Sequence, residues 1–186
     1  MHRFFVDICQ IDSMQNQIVI KNGDVRHISK VLRLRKKDMI EICDGVNMEY
    51  ICEIQSIDKN SVLLSIIDKR QSIREPPVKV VLYQGIPKGN KMDLIVQKTV
   101  ELGITEIIPV EMKRTIVQFR NNKDKQNKIN RWQKIALEAA KQSRRGIVPP
   151  VHLPISFDEA LKHSKKNQLN IMPYEKKKKK SFKNII

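Results

Sequence analysis

The spacing of apolar residues changes at Glu75-Pro76-Pro77, and this change constrains the fold more than any other feature of the sequence. Before it, apolar and polar residues alternate through 48–54 and 62–66, the pattern of strands with one buried face. After it, short apolar stretches alternate with segments of helical periodicity, as in 92–100. Two consecutive prolines interrupt both strand ladders and helix interiors, so this segment is typical of a linker between two differently built parts.

We therefore predict two domains, residues 1–72 and residues 78–186. The first contains several short strands and one short helix that starts at Asp24, a combination typical of a small β-barrel. Asp44-Gly45 between two strand patterns indicates a hairpin turn. The second domain alternates strands with helices, which favours a parallel sheet with helical crossovers. The expected fold class is α+β, with an N-terminal β-barrel followed by an α/β parallel-sheet domain.

The elements of the second domain can be placed from their patterns. Gly103 and Gly146 are expected to end its two longer helices, because glycine readily adopts the left-handed conformation found there. Trp132 lies on an apolar helical face, which favours a core position. Ser156 and Glu159 have the spacing of a capping box for a third helix. The strands are expected at 78–83, 107–110 and 169–172.

Basic residues dominate the charge of the chain. The 36 lysines and arginines exceed the 20 aspartates and glutamates, which gives a formal net charge of +16. Part of the excess is the lysine run at 176–180, but the remainder is spread along the sequence. A spread excess favours a polyanionic partner such as nucleic acid, the alternative being lysine-rich faces that are merely solvated.

Cysteine spacing and hydropathy bear on the compartment. Cys9, Cys43 and Cys52 have no C-x-x-C spacing and no neighbouring histidine cluster, so neither a zinc site nor a disulfide framework is expected. Free thiols suit a reducing cytoplasm. No apolar run approaches the length of a membrane span, so we expect a cytoplasmic protein without a membrane partner.

The stretch from Gln84 to Met92 is the most distinctive candidate for a binding site. It joins the first strand of the second domain to a helix, and ligands in open α/β sheets bind at the carboxyl ends of strands. Lys88 and Lys91 place positive charge beside a helix N-terminus, which favours a phosphate. The alternative is a plain strand-to-helix loop with exposed lysines.

Other basic and polar residues are candidates for RNA contacts. Arg3, Arg33 and Arg35 lie in the first domain, and arginine suits contacts with RNA phosphates and bases. Gln142 and Arg144, at the end of a long helix, face either a polar cleft or solvent. The spacing reveals no Ser-His-Asp arrangement, no catalytic carboxylate pair and no metal-ligand cluster, so no catalytic residue is predicted.

Several segments together resemble the family of ribosomal RNA small subunit methyltransferase E. The most specific of them is Gln84-Gly85-Ile86-Pro87-Lys88-Gly89-Asn90-Lys91-Met92-Asp93, which continues to Lys98. The second long match is 131–142. The resemblance covers nearly the whole chain, and the remaining matches follow in the family's order: Arg3-Phe4-Phe5, 27–34, Asp44-Gly45, Glu101-Leu102-Gly103, 107–110 and Tyr174-Glu175.

This resemblance implies a PUA-like barrel, a SPOUT-type α/β domain with a C-terminal knot, and a homodimer. It also implies S-adenosylmethionine as the donor and N3 of a uridine in 16S rRNA of the small ribosomal subunit as the acceptor. In that setting Arg3 and Arg33 would contact RNA, while Gln142 and Arg144 would flank the reacting base. The cleft would be lined by Lys88, Lys91 and Arg114, and Tyr174 and Glu175 would lie beside the donor.

The glycine-rich GPEGG loop and the LRTE segment of the family have no counterpart before Ile186. We therefore expect the knot segment to be missing from this polypeptide, which we interpret as truncated. On this basis the 186 residues alone should bind the donor weakly. The alternative function is an RNA-binding module without catalysis.

Overall fold

The computed structural model describes residues 1–21, 23–113 and 121–173. Three residues with expected roles, Arg114, Tyr174 and Glu175, lie outside the described residues. The described part contains two sheets, one formed before residue 72 and one after residue 80.

The first sheet has six strands in the order β1-β4-β5-β6-β3-β2. Strand β1 is parallel to β4, and the other neighbours are antiparallel. Strands β1 and β2 lie at opposite edges and are not paired with each other, so the described residues form an open sheet where a closed barrel was expected. The strands are His2–Phe5 (β1), Ile11–Asp12 (β2), Gln17–Lys21 (β3), Met39–Cys43 (β4), Met48–Ile57 (β5) and Ser61–Gln71 (β6).

Alternating apolar residues of these strands build the first core. Between β3 and β4 a short helix, Gly23–Arg26 (α1), continues as a π-helical turn, His27–Val31, and adds Val25 and Ile28. Each fully buried aliphatic side chain contributes roughly 1.5–3 kcal/mol relative to an exposed one. The fully buried members include Phe4, Ile18, Ile40, Ile42, Ile54 and Leu64.

The predicted turn at Asp44-Gly45 is confirmed. The Asp44 carboxylate accepts hydrogen bonds from the backbone N–H groups of Val46, Asn47 and Met48 at 2.8, 3.1 and 2.9 Å. Gly45 has a φ of 74°, which glycine adopts without strain.

The second sheet is parallel, as predicted, with the order β7-β8-β9. Helices lie between its strands, and the carboxyl ends of the first two strands lie at Gly85 and Glu111. The elements are Val81–Gly85 (β7), Lys91–Glu101 (α2), Glu106–Glu111 (β8), Asn122–Gln142 (α3), Ile155–Ser156 (β9) and Phe157–Ser164 (α4).

Helices α2 and α3 pack together and run in the same direction. Near the start of α2, Asp93 pairs with Arg131, while at its end the carbonyl of Val100 accepts from Arg145. Trp132 is 4% exposed and lies in the core, as predicted. The buried cluster combines Met92, Val96, Val100, Ile107, Ile129, Trp132, Ala136, Ala139 and Ala140.

The ends of the helices match the sequence in part. Ser156 and Glu159 form the predicted capping box. Gly103 has a φ of 95° after α2, and a Cβ there would lie 2.4 Å from Cγ of Pro76. After α3 the left-handed residue is Arg144, with a φ of 56°, so the prediction for Gly146 is wrong.

The expected strand at 169–172 is also wrong. The Asn170 side chain donates to the carbonyl of Ser164 at 2.9 Å and accepts from the Asn167 side chain at 3.1 Å. These local bonds fold the segment into turns, so Leu169 and Met172 are 53% and 67% exposed. None of the helices within the described ranges combines the length and the apolar character that a membrane crossing requires.

Candidate nucleic-acid interface

Exposed cations concentrate on the segment between β3 and β4. Six basic side chains lie within twelve residues of one another, and all six are exposed. Two of them, Arg33 and Lys37, have φ angles of 54° and 77° in the left-handed region. We call this set the 26–37 cluster: Arg26, Lys30, Arg33, Arg35, Lys36 and Lys37.

The local fold turns these cations outward. Val25 and Ile28 are 4% and 0% exposed, so their side chains anchor the segment to the core and leave the basic side chains on the outer face. The backbone is fastened further by Leu34 N–H donating to Ile28 O at 3.0 Å and by Lys37 N–H donating to Ile54 O at 2.8 Å. The cluster therefore stands on a fixed backbone.

The cations of the cluster lack carboxylate partners. Within the described part of the chain, none of the six forms an ion pair. The neighbouring carboxylate of Asp38 accepts instead from the backbone N–H of Arg35 at 2.7 Å. Several unpaired cations on one face raise the local potential, which attracts a polyanion.

Cations of the second sheet are arranged differently. Lys98 pairs with Glu101 at 2.7 Å, and Lys141 pairs with Glu138 at 3.0 Å. Lys125 pairs with Glu111 at 3.1 Å. These three charges are partly neutralised within the protein, unlike those of the 26–37 cluster among the described residues.

Arg3 does not belong to the exposed surface, which corrects its expected contact with RNA. Its side chain is 5% exposed and pairs with Glu41 at 3.0 Å and with Glu49 at 2.7 Å. Arg70, which is half exposed, also pairs with both carboxylates, at 3.5 Å from Glu41 and 3.2 Å from Glu49. We call Arg3, Glu41, Glu49 and Arg70 the ion cluster. The Arg3 guanidinium therefore binds carboxylates inside the protein, and we assign Arg3 a structural role.

The ion cluster shifts the pKa values of Arg3 and Glu49. Burial lowers the pKa of Arg3, but its bonds to Glu41 and Glu49 outweigh burial, and the pKa is raised above its ordinary value. Burial raises the pKa of Glu49, but hydrogen bonds from Arg3 and Arg70 help to reverse this, and the pKa is lowered. Both side chains are thus held in their charged forms.

Lys88 and Lys91 lie where the sequence placed them, in the connection from β7 to α2. Both are exposed at the carboxyl end of the parallel sheet. Gly89 between them has a φ of 71°, which allows the sharp turn into the helix. The connection matches the predicted strand-to-helix loop.

Gln142 and Arg144 lie at the other end of the helix pair. Both are exposed, and the carbonyl of Arg144 lies 3.5 Å from the guanidinium of Arg74. Since α2 and α3 run in the same direction, these residues are near the end of α2, whereas Lys91 begins it. An 11-residue helix is about 16 Å long, so one chain does not bring the two groups into a common cleft.

The sequence reasoning selected Arg33 and Arg35 from the 26–37 cluster and missed the four other cations. Their local density was visible in the sequence, with six basic residues against Asp24 and Asp38. Periodicity indicated correctly that Val25 and Ile28 face inward but wrongly that Val31 does, since Val31 is 66% exposed. What the sequence did not show is that, within the described ranges, these cations form no ion pair.

The carboxyl ends of β7 and β8, at Gly85 and Glu111, form the edge at which parallel sheets of this type bind ligands. The Gln84 side chain donates to the carbonyl of Gly85 at 2.8 Å, and a Cβ at Gly85 would lie 3.2 Å from Cγ of Met112. Among the described residues, the buried side-chain polar atoms without a partner are Asn47 Oδ1 and Ser72 Oγ, which lie away from this edge.

Comparison with protein families gives two matches. Residues 74–186 match an RNA methyltransferase domain, and residues 20–67 match an RNA methyltransferase PUA domain. The second range contains the whole 26–37 cluster, and the first contains the parallel sheet.

The chain is also similar to named proteins. It is 36% identical to ribosomal RNA small subunit methyltransferase E of Bacillus subtilis, over 94% of this chain and 68% of that protein. It is 32% identical to the protein of that name from Mesomycoplasma hyopneumoniae, over 96% and 73%.

A solved structure agrees with these matches. The crystal structure of ribosomal RNA small subunit methyltransferase E from Neisseria gonorrhoeae, bound to S-adenosyl methionine, superposes with a TM-score of 0.77 at 33% identity. It covers 87% of this chain, which in turn spans 65% of that one. Together with the sequence matches, this likeness shows that the chain belongs to the ribosomal RNA small subunit methyltransferase E family.

Proposed function

We propose that this chain serves methyl transfer from S-adenosylmethionine to N3 of a uridine in 16S rRNA of the small ribosomal subunit. The observation that carries the proposal is the 26–37 cluster, an unpaired cationic face on a member of an RNA methyltransferase family. The family assignment supports the chemistry, and the cluster supports the polyanionic substrate. We further propose that the protein acts in the cytoplasm as a homodimer.

The two sheets divide the work in this proposal. Residues 1–72 form the PUA-like part, whose cluster, including Arg33, binds RNA phosphates. Residues 78–186 form the SPOUT-type part, and Lys88 and Lys91 meet RNA at its strand ends.

Gln142 and Arg144 contact RNA near the junction of the two sheets, away from the strand ends. Their distance from Lys88 and Lys91 supports separate contacts with one extended RNA. Arg114 is proposed to contact RNA, and Tyr174 and Glu175 to bind the donor.

The methyl donor is S-adenosylmethionine in this proposal, supported by the bound state of the Neisseria relative. The donor supplies an activated methyl group carried on a sulfonium. The part of this chain that the structure describes would hold RNA beside the strand ends. Calorimetric titration with S-adenosylmethionine measures donor binding by the 186-residue polypeptide.

RNA binding at two salt concentrations tests the cluster. The triple variant Arg33→Gln, Lys36→Gln and Lys37→Gln removes three unpaired cations. Its affinity for a small-subunit RNA fragment should fall about tenfold at low salt. The slope of log affinity against log salt concentration should also be less steep by about two, because fewer counterions are released on binding.

A matched variant provides the control. Lys98→Gln, Lys125→Gln and Arg131→Gln remove the same charge from positions that are ion-paired in the protein. This variant should lose less than threefold in affinity. Equal losses in the two triple variants would show that total charge, and not the 26–37 cluster, determines RNA binding.

The second candidate function is RNA binding without catalysis. It is favoured by the exposed cationic cluster, which can bind RNA phosphates without any methyl donor. Incubation with labelled S-adenosylmethionine and small-subunit RNA separates the two candidates. Label in the RNA supports the methyltransferase, and tight RNA binding without label supports the binding module.

A further inference from the structure

Arg145 lies at the centre of the region where the two sheets join. Its side chain is 5% exposed. Nη2 donates to Glu75 Oε2 at 2.5 Å, and Nη1 donates to the carbonyls of Ile104 and Val100 at 2.7 and 3.2 Å. Its own carbonyl accepts from Arg3 Nη1 at 2.7 Å. One residue thus connects the end of α3, the linker, the end of α2 and strand β1.

Glu75 fastens the linker to the same place. Its Oε1 accepts from the backbone N–H groups of Gly146 and Ile147 at 3.0 and 3.1 Å, while its other oxygen faces Arg145. The side chain is 14% exposed. Charge-assisted hydrogen bonds of this kind are stronger than neutral ones. The paired bonds between guanidinium and carboxylate also fix the orientation of the two side chains. The linker is therefore held on the second sheet.

We call the region where the two sheets meet the joint. The turn after β4 is the first sheet's part of it. Gly45 and Val46 form β-bridges with Ile147. A Cβ at Gly146 would lie 2.5 Å from Cβ of Ser72, so the two backbones are pressed together there. The backbones of segments 44–47 and 145–147 are therefore in direct contact.

Neither hydrophobic core includes Arg145. The first core draws its buried residues from positions 4–64, and the second draws its buried residues from positions 86–151. Phe5, partly buried, is the first-sheet residue packed against the second core. The guanidinium binds the linker and the end of α2, and it thereby holds the Arg145 carbonyl at the place where Arg3 of the first sheet donates to it.

We propose that Arg145 is a positioning residue that fixes the six-stranded sheet relative to the parallel sheet, and so sets where RNA held by the 26–37 cluster meets the ends of β7 and β8. This inference rests on the proposed function for its RNA part only. The planar guanidinium reaches Glu75 and two carbonyls at once, a geometry that the point charge of a lysine cannot reproduce.

Distance measurement between two spin labels tests the positioning role. One label is placed on native Cys9, which is exposed, and the other on Lys134→Cys in α3. Cys43 and Cys52 are fully buried and stay unlabelled in the folded chain. The doubly labelled Lys134→Cys reference, with Arg145 and Glu75 unchanged, should give one narrow distance distribution by double electron–electron resonance.

Conservative variants should loosen the joint. Arg145→Lys and Glu75→Gln should each at least double the width of the distribution while circular dichroism shows unchanged secondary structure. The control Arg131→Met removes an ion pair between helices α2 and α3 and should leave the width unchanged. An unchanged width in both conservative variants would overturn the proposal, and these variants decide the matter even where Arg145→Met fails to fold.

A comparison of two RNAs connects the joint to binding. A small-subunit RNA fragment long enough to touch both sheets should bind Arg145→Lys about tenfold more weakly, because a loose joint lowers the effective concentration of the second contact. A six-nucleotide RNA should lose less than twofold, and equal weakening of both RNAs would contradict the positioning role. If neither RNA binds the unsubstituted chain, the proposed function fails, while the spin-label distances still decide the role of Arg145.

Discussion

Nη1 of Arg3 donates a 2.7 Å hydrogen bond to the backbone carbonyl of Arg145, 142 residues later in the chain. The same guanidinium pairs with Glu41 and Glu49 inside the first sheet. Arg3 therefore belongs both to an ion cluster of its own sheet and to the joint with the second sheet. Changes at Arg3 should affect folding stability as well as the joint.

Removal of Arg3 should strongly destabilise the fold. In Arg3→Met, Glu41 and Glu49 stay buried and keep only Arg70, which is half exposed. Breaking a buried ion pair by removing one partner typically costs about 3–5 kcal/mol, and we expect a loss near 3 kcal/mol in urea unfolding. Arg26→Met, on the exposed cluster, should change the free energy of unfolding by less than about 0.5 kcal/mol. A loss below about 1 kcal/mol in Arg3→Met would contradict the structural role of Arg3.

Glu49 should make stability depend on acid pH. Its pKa in the folded state is lowered from 4.5, so its contribution is fully present above about pH 4.5. The contribution is lost as pH falls further, through the pKa of the folded state. The difference in unfolding free energy between the unsubstituted chain and Glu49→Gln should therefore be constant from pH 7 to 5 and shrink below pH 4.5. A difference that does not change down to pH 3 would show that Glu49 is not held as a carboxylate by its arginines.

The change of periodicity at the prolines was sufficient to predict a parallel second sheet, because period-2 and helical patterns require different backbones. Local signals were equally reliable where one or two residues decide the geometry, as at Asp44, Gly103 and Ser156. The strand expected at 169–172 failed because the Asn170 side chain satisfies the backbone carbonyl of Ser164, a local bond that apolar periodicity does not register. Strand pairing across the first sheet depends on contacts distant in sequence, so its open edge could not be predicted.

The candidate site was less predictable than the fold. Arg3 and Arg33 look alike in sequence, but one is buried against two carboxylates and the other is exposed. The difference arises from Glu41 and Glu49, which reach Arg3 from other strands. The linker at Glu75 was expected to be a simple connection, yet its carboxylate binds a residue 70 positions later.

Gly146 should tolerate no side chain. A Cβ there would lie 2.5 Å from Cβ and 2.8 Å from Oγ of Ser72, so Gly146→Ala must move two backbones apart. Overpacking of this kind costs roughly 1–3 kcal/mol, and we expect a loss of that size in thermal unfolding. Gly23→Ala is the matched control, because nothing lies within 4 Å of a Cβ at Gly23. Equal melting temperatures of the two variants would show that Ser72 and Gly146 are not in close contact.

The three cysteines should differ sharply in reactivity, and this measures the integrity of the first sheet. Burial raises the pKa of both Cys43 and Cys52 to about 12, and both are 0% exposed. The thiolate is the reactive form, so at pH 8 these residues should react slowly with a disulfide reagent, while exposed Cys9 reacts at once. One thiol per chain should therefore be titrated rapidly in the folded protein and three in denaturant.

Arg3→Met should accelerate the slow phase by about the factor by which it increases the unfolded population, if the buried thiols react through opening of the sheet. Rapid titration of more than one thiol in the unsubstituted chain would contradict the burial of β4 and β5, which carry Cys43 and Cys52.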